Sequence, residues 1–139
     1  MDREALKNIL PHREPMLLLD EAWADEAGMA HGRYTVNGDE WFLQGHFPGN
    51  PVVPGVVQCE ILAQTCCVLL SSQTEGATPY FTGLDKVKFR RKVLPGETLE
   101  LECTITAQKG PFYFAKGKGS VGGELCVSGE FSFALVKGV

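Results

Sequence analysis

His46 and Glu60 are the two side chains in this sequence whose types and surroundings suit proton transfer. His46 lies in the stretch "GHFPGNPVVPG", where Pro48, Pro51 and Pro54 recur every third residue. Each proline fixes its own φ and presses the residue before it toward extended geometry, so the approach is stiff. Gly55 then opens an apolar segment that reads as a helix running from Val56 to Ser71. The first N–H groups of a helix have no partner within it, and its positive dipole end lies there. With no side chain at Gly55, a carbonyl oxygen could approach those donors closely, as in an oxyanion site.

Glu60 falls in the second turn of that segment, and Gln64, Cys67 and Ser71 follow along one face. An ionised carboxylate is costly in such apolar company, so Glu60 requires either a proton or a partner. Both outcomes suit an acid–base catalyst. His46 supplies the complementary group, since an imidazole titrates near neutrality. The path from His46 to Gly55 spans up to about 28 Å if extended like polyproline, at about 3.1 Å per residue. His46 could then face the Glu60 of its own chain or that of a second copy. The residue pattern also leaves a plainer reading open: a packed loop histidine, with Glu60 paired to an arginine such as Arg90 or Arg91.

The elements that would position these groups follow from periodicity. Leu6, Ile9 and Leu10 before Pro11 suggest a short N-terminal helix. Met16 to Trp23 reads as a strand, and Ala30 to Val36 as another. The central helix carries apolar residues nearly all round and should be buried on most sides. In the second half the period becomes two: Leu99, Leu101, Cys103, Ile105 and Ala107 alternate with polar residues, as do Phe131, Phe133 and Leu135. Val87 and Phe89 should share one strand face, with Lys88 and Arg90 on the other. Turn signals at "LPGE", "QKGP" and "VGGE" separate these runs at hairpin spacing. The sum is an α+β domain over residues 1–139, with an antiparallel sheet wrapped on one long helix.

Composition narrows the function. The 139 residues are 44% hydrophobic and 22% charged, which is globular rather than disordered. A net charge of −4 offers nothing to gather a phosphate backbone, so nucleic acid is not an expected partner. The N-terminus lacks a secretory pattern, and the most apolar stretch is short of the roughly 20 residues a membrane span needs. A soluble, cytoplasmic protein is expected. The five cysteines form no Cys-x-x-Cys pair and read as buried, reduced thiols. His12, His31 and His46 are too dispersed to suggest a metal site.

The stretch Gly45-His46-Phe47-Pro48, Pro51, Pro54-Gly55, Glu60, Ala63, Gln64 closely resembles the active-site segment of the 3-hydroxyacyl-acyl-carrier-protein dehydratases of the FabZ type. "LPHREPMLLLD", "FTGLDKVKFRRKVLPGETL" and "AKGKGSVGGELCVSGEFSFAL" are similar to further segments of that family, in the same order. The resemblance implies a hot-dog fold and a homodimer at least, often a trimer of dimers. It implies active sites in which the histidine and the glutamate come from opposite subunits. The implied reaction removes water from a 3-hydroxyacyl chain carried on the phosphopantetheine of acyl carrier protein, with no metal or redox cofactor. His46 and Glu60 would be catalytic, and Gly55, Phe47 and Gln64 would meet the substrate, with Gln64 orienting Glu60.

Lys86, Lys88, Arg90, Arg91 and Lys92 would offer an acidic carrier protein a basic docking strip, or else form an ordinary solvated strand face. The family usually has tyrosine at Glu14, arginine at Glu21 and often phenylalanine at Met16, so the chain departs from the pattern near the N-terminus. Glu60, where the FabA type has aspartate, favours plain dehydration over added isomerisation to the cis-3 product. A dehydratase that also isomerises trans-2 to cis-3 enoyl chains, a hot-dog acyl thioesterase and a non-catalytic acyl-binding subunit are the competing readings.

Overall fold

The computed structural model describes residues 1–70 and 76–137. A short helix α1 (Arg3–Leu6) is capped by Asp2, whose carboxylate accepts the Ala5 N–H at 2.9 Å. Strands β1 (Glu21–Ala24) and β2 (Ala30–Thr35) form the first hairpin, followed by a 3₁₀ turn over Trp41–Leu43. The principal helix, α2 (Gly55–Cys66), precedes β3 (Ala77–Phe89), β4 (Thr98–Lys109), β5 (Phe112–Val121) and β6 (Glu124–Lys137). All pairings are antiparallel, in the spatial order β1-β2-β4-β5-β6-β3. This is the hot-dog fold, with α2 held against β2, β4, β5 and β6. Among the described residues, no helix is long and apolar enough to cross a membrane.

Local sequence explains the sheet. Gly122 and Gly123 both take positive φ, at 57° and 85°, between the paired residues Val121 and Glu124. A two-residue turn of that handedness matches the natural twist of its strands. The alternation in β4 holds through Cys103, then fails where a register shift falls between Ile105 and Ala107. The extra residue turns Ala107 outward, contrary to the period-two expectation.

The core lies between α2 and the sheet. Ile61 and Leu62 are fully buried in one cluster with Leu99, Leu101 and Val127. Burial of each such side chain stabilises by about 1.5–3 kcal/mol relative to exposure. Gly32 on β2 lets the helix lie close, since an added Cβ would stand 2.5 Å from Thr65 Oγ1.

Two expectations change. The helix stops at Cys66 and continues as a 3₁₀ turn over Cys67–Leu70, a common way for a last turn to tighten. Ser71, the expected end of the polar stripe, lies outside the described residues. Met16 to Leu19 is not a strand, although Leu17, Leu18 and Leu19 are buried. Its backbone has another partner: Gln64 on α2 accepts the Leu18 N–H at 2.9 Å and donates to the Met16 carbonyl at 2.8 Å.

Candidate active site

The proline-rich loop fixes the state of His46 as well as its place. The loop folds back on itself, with Val52 N–H donating to His46 O at 2.8 Å and Asn50 N–H to Phe47 O at 2.8 Å. The His46 ring stacks on Phe47 at 4.2 Å between centroids, and its Nδ1 lies 3.0 Å from the Val52 carbonyl. A carbonyl oxygen only accepts, so Nδ1 carries the hydrogen. In the neutral ring the lone pair is then on Nε2, the geometry a base requires.

Glu60 is partnered rather than isolated. Gln64 Nε2 donates to Glu60 Oε2 at 2.8 Å, and His12 Nε2 lies 3.2 Å from the same oxygen. Arg90 and Arg91 do not pair with Glu60. Arg91 instead makes a two-pronged contact with Glu97, at 2.9 and 2.6 Å. Glu60, Gln64, Cys67 and His12 line a cavity of about 210 Å³ that Phe81 and Phe133 also border. The stripe read from the sequence therefore forms a wall, as far as its described members go. Cys67 adds no charge there, because burial, followed by its neighbours Cys66 and Glu60, pushes its thiol well up. All five cysteines are free and buried.

The start of α2 forms a second concavity, about 550 Å³, lined by Gly55, Gln58, Phe89, Arg90, Arg91 and Lys92 among others. Val57 and Gln58 donate back to Pro54 O, leaving the N–H groups of Gly55 and Val56 without a partner among the described residues. Phe89 packs so tightly on Gly55 that an added Cβ would stand 2.7 Å from its ring. Within one chain, His46 borders neither cavity, and no hydrogen bond joins it to Glu60.

The basic strip is divided. At a register shift between Asp85 and Lys88, Lys86 takes φ 53° and lies 3.4 Å from the Glu130 carboxylate. Arg91 is held by Glu97 and, at 3.3 Å, Glu124. Lys88, Arg90 and Lys92 make no ion pair among the described residues and remain exposed. The strand ends at Phe89, so the expected continuous face extends no further.

The N-terminal departures sit outside the cavity. Glu14 bridges Lys7 and Arg3, at 3.2 and 3.7 Å, while Glu21 pairs with Arg33. Met16 contributes its carbonyl to Gln64 rather than its side chain.

His12 is the site residue that sequence reading missed. It comes 48 positions before Glu60, and dispersion had argued only against a metal role. One signal was present: Pro11 and Pro15 flank it on both sides and stiffen its backbone, as Pro48, Pro51 and Pro54 stiffen the loop that follows His46.

The fold agrees with that of known proteins. The dehydratase heterocomplex ApeI:P from Xenorhabdus doucetiae superposes with a TM-score of 0.81 at 22% identity, covering 96% of this chain and 91% of that one. The E. coli PaaI protein of phenylacetic acid degradation superposes at 0.63 with 15% identity, covering 82% of this chain and 81% of that one. At such identities the likeness is one of fold. The FabA-like domain family matches residues 10–130. A protein of Moorella thermoacetica named as the 3-hydroxyacyl-[acyl-carrier-protein] dehydratase FabZ is 47% identical, covering 97% of this chain and 96% of the relative. One of Clostridium perfringens with the same name is 44% identical, covering 97% and 99%. The chain belongs to the FabA-like family, in its FabZ-type dehydratase branch.

Proposed function

We propose that this chain removes water from 3-hydroxyacyl groups on acyl carrier protein, giving trans-2-enoyl groups for fatty acid synthesis. The observation that carries the reading is near-full-length identity of 43–47% to curated dehydratases. His46 takes the C2 proton on Nε2, and the C2–H electron pair becomes the C2=C3 bond. The C3–O bond breaks as Glu60 gives its proton to the departing hydroxyl, which leaves as water. Each such proton transfer contributes typically about 10²–10⁴-fold. The Gly55 N–H holds the thioester oxygen as charge develops on it. Phe47 stacks on the base and borders the substrate, and Gln64 orients the acid. No metal or redox cofactor enters this scheme, and the acyl chain arrives on phosphopantetheine. Lys88, Arg90 and Lys92, the unpaired part of the basic strip, meet the acidic carrier, while Lys86 and Arg91 contribute charge at its margins. The setting is cytoplasmic.

The active unit is a homodimer, alone or as three such dimers. Strand β3 lies at the edge of the sheet, with no further strand beside it among the described residues, and Tyr80, Phe81 and Leu84 along it are 46%, 40% and 51% exposed. An apolar edge of this length calls for a cover. A second copy supplies it and brings its own His46 to this Glu60.

The deciding assay incubates the protein with a trans-2-enoyl group on acyl carrier protein and follows the carrier species by mass, with Glu60→Ala as control. Gain of one water, absent in the control, is expected. Release of free acid would replace this reading with a thioesterase. Mixing inactive His46→Ala and Glu60→Ala chains should restore up to about a quarter of wild-type activity through mixed dimers with one intact site. No restoration after exchange would refute the shared site.

A further inference from the structure

His12 has no part in the mechanism above, yet it borders the same cavity as Glu60. Its Nε2 lies 3.2 Å from Glu60 Oε2, and its Nδ1 is buried without a hydrogen-bond partner among the described residues. That orphan atom selects the tautomer. A hydrogen on Nδ1 would be a buried donor with nothing to accept it, whereas a bare lone pair there is the cheaper arrangement. The ring hydrogen therefore belongs on Nε2, facing Glu60 Oε2.

Gln64 Nε2 already donates to that oxygen, at 2.8 Å. A carboxyl oxygen offers about two in-plane acceptor positions. Gln64 occupies one and His12 the other, so Oε2 has no place left for a proton. Glu60 Oε1 has no hydrogen-bond partner among the described residues, so the proton of the neutral acid must sit there. With Gln64 alone, the proton could sit on either oxygen, and only one of these placements would point at the leaving hydroxyl.

We infer that His12 is a positioning residue that, together with Gln64, keeps Glu60 Oε2 an acceptor and thereby commits the transferable proton to Oε1. The inference rests on the reading of Glu60 as general acid. His12 itself exchanges no proton with substrate.

The test measures hydration of a trans-2-enoyl group on acyl carrier protein by wild type, His12→Leu, His12→Gln, Glu60→Gln and the His12→Leu/Glu60→Gln double variant, with thermal melting of each. His12→Leu is expected to lower kcat by roughly 10- to 100-fold while KM stays within about threefold, as for a misoriented group. In His12→Gln the amide N–H reaches the position of Nε2, and most of the loss should be recovered. Added to Glu60→Gln, His12→Leu should cost no further activity, because the proton it positions is gone.

Three results would overturn the inference: wild-type kcat in His12→Leu, no recovery in a folded His12→Gln, or the same fractional loss in both Glu60 backgrounds. The last would mark a purely structural role. A Glu60→Gln variant with wild-type turnover would overturn the acid assignment itself, and a wild-type protein that adds no water would overturn the proposed function. The three failures are thus distinguishable.

Discussion

Replacing Gln64 with leucine tests the link between packing and chemistry most directly. Gln64 is 1% exposed and makes three hydrogen bonds: from Leu18 N–H at 2.9 Å, to Met16 O at 2.8 Å and to Glu60 Oε2 at 2.8 Å. Leucine fills a similar volume but leaves the buried Leu18 N–H unpaired, at a cost of about 1–3 kcal/mol. The Met16 carbonyl belongs to a residue that is 40% exposed, so water can replace part of that bond. Loss of the donor to Glu60 adds up to a further ~1–2 kcal/mol. The sum is about 2–5 kcal/mol, or a fall in Tm of roughly 6–15 °C for a domain of this size. Turnover should fall independently of stability, because the carboxyl loses its fixed orientation; a drop in kcat of about 10- to 100-fold is expected well below Tm. The assays are thermal unfolding by circular dichroism and hydration of the enoyl-carrier substrate. An unchanged Tm would refute the cost assigned to the buried N–H. A lowered Tm with kcat within about threefold of wild type would show that the Gln64 bond does not orient the acid.

Gly32→Ala should destabilise by about 1–3 kcal/mol through overpacking, because its Cβ would meet Thr65 Oγ1 at 2.5 Å and Leu19 Cδ2 at 3.1 Å. An unchanged melting temperature would show that the helix can move away freely. Arg90→Glu combined with Lys92→Glu should raise KM for carrier-bound substrate, more so at low salt, while sparing a small thioester. Equal loss on both substrates would remove the docking role. The Arg91 guanidinium, bonded at both prongs, holds the Glu97 carboxyl below its ordinary range, and the Leu94 N–H assists. A depressed carboxyl contributes stability above that range and loses it as pH falls through the lowered value. Arg91→Met should therefore lower stability at neutral pH, with the gap to wild type closing below about pH 4. A gap independent of pH would contradict the pairing.

What could be read from sequence was what is encoded locally. The prolines at 48, 51 and 54 and the glycine at 55 announce a stiff loop and a helix start because each acts on its own backbone and that of its neighbour. The β4 and β6 strands were legible because alternation survives over several residues before a bulge intervenes. Strand β3 was recognised only at its end: Phe81 to Lys86 are all exposed, and two register shifts disturb the period. The run Met16 to Leu19 resembled a strand because its composition reports burial, whereas its hydrogen-bond partner is a side chain far along the chain. His12 was hidden for the same reason. His46 and Glu60 stood out individually, but each one's local partners, Val52 O and the His12–Gln64 pair, came only with the fold.

The tie between Gln64 and the N-terminal segment also bears on the order of assembly. The Gln64 bonds to Leu18 and Met16 close loops of 46 and 48 residues, while β4, β5 and β6 are joined through tight hairpins. Contacts close in sequence form first, since closing a long loop costs entropy before any reward arrives. A chain that has already paired those hairpins and wound its helix thus still holds Glu60 unaligned. Turnover during refolding reports the arrival of the N-terminal crossing, and so follows the recovery of secondary structure rather than accompanying it.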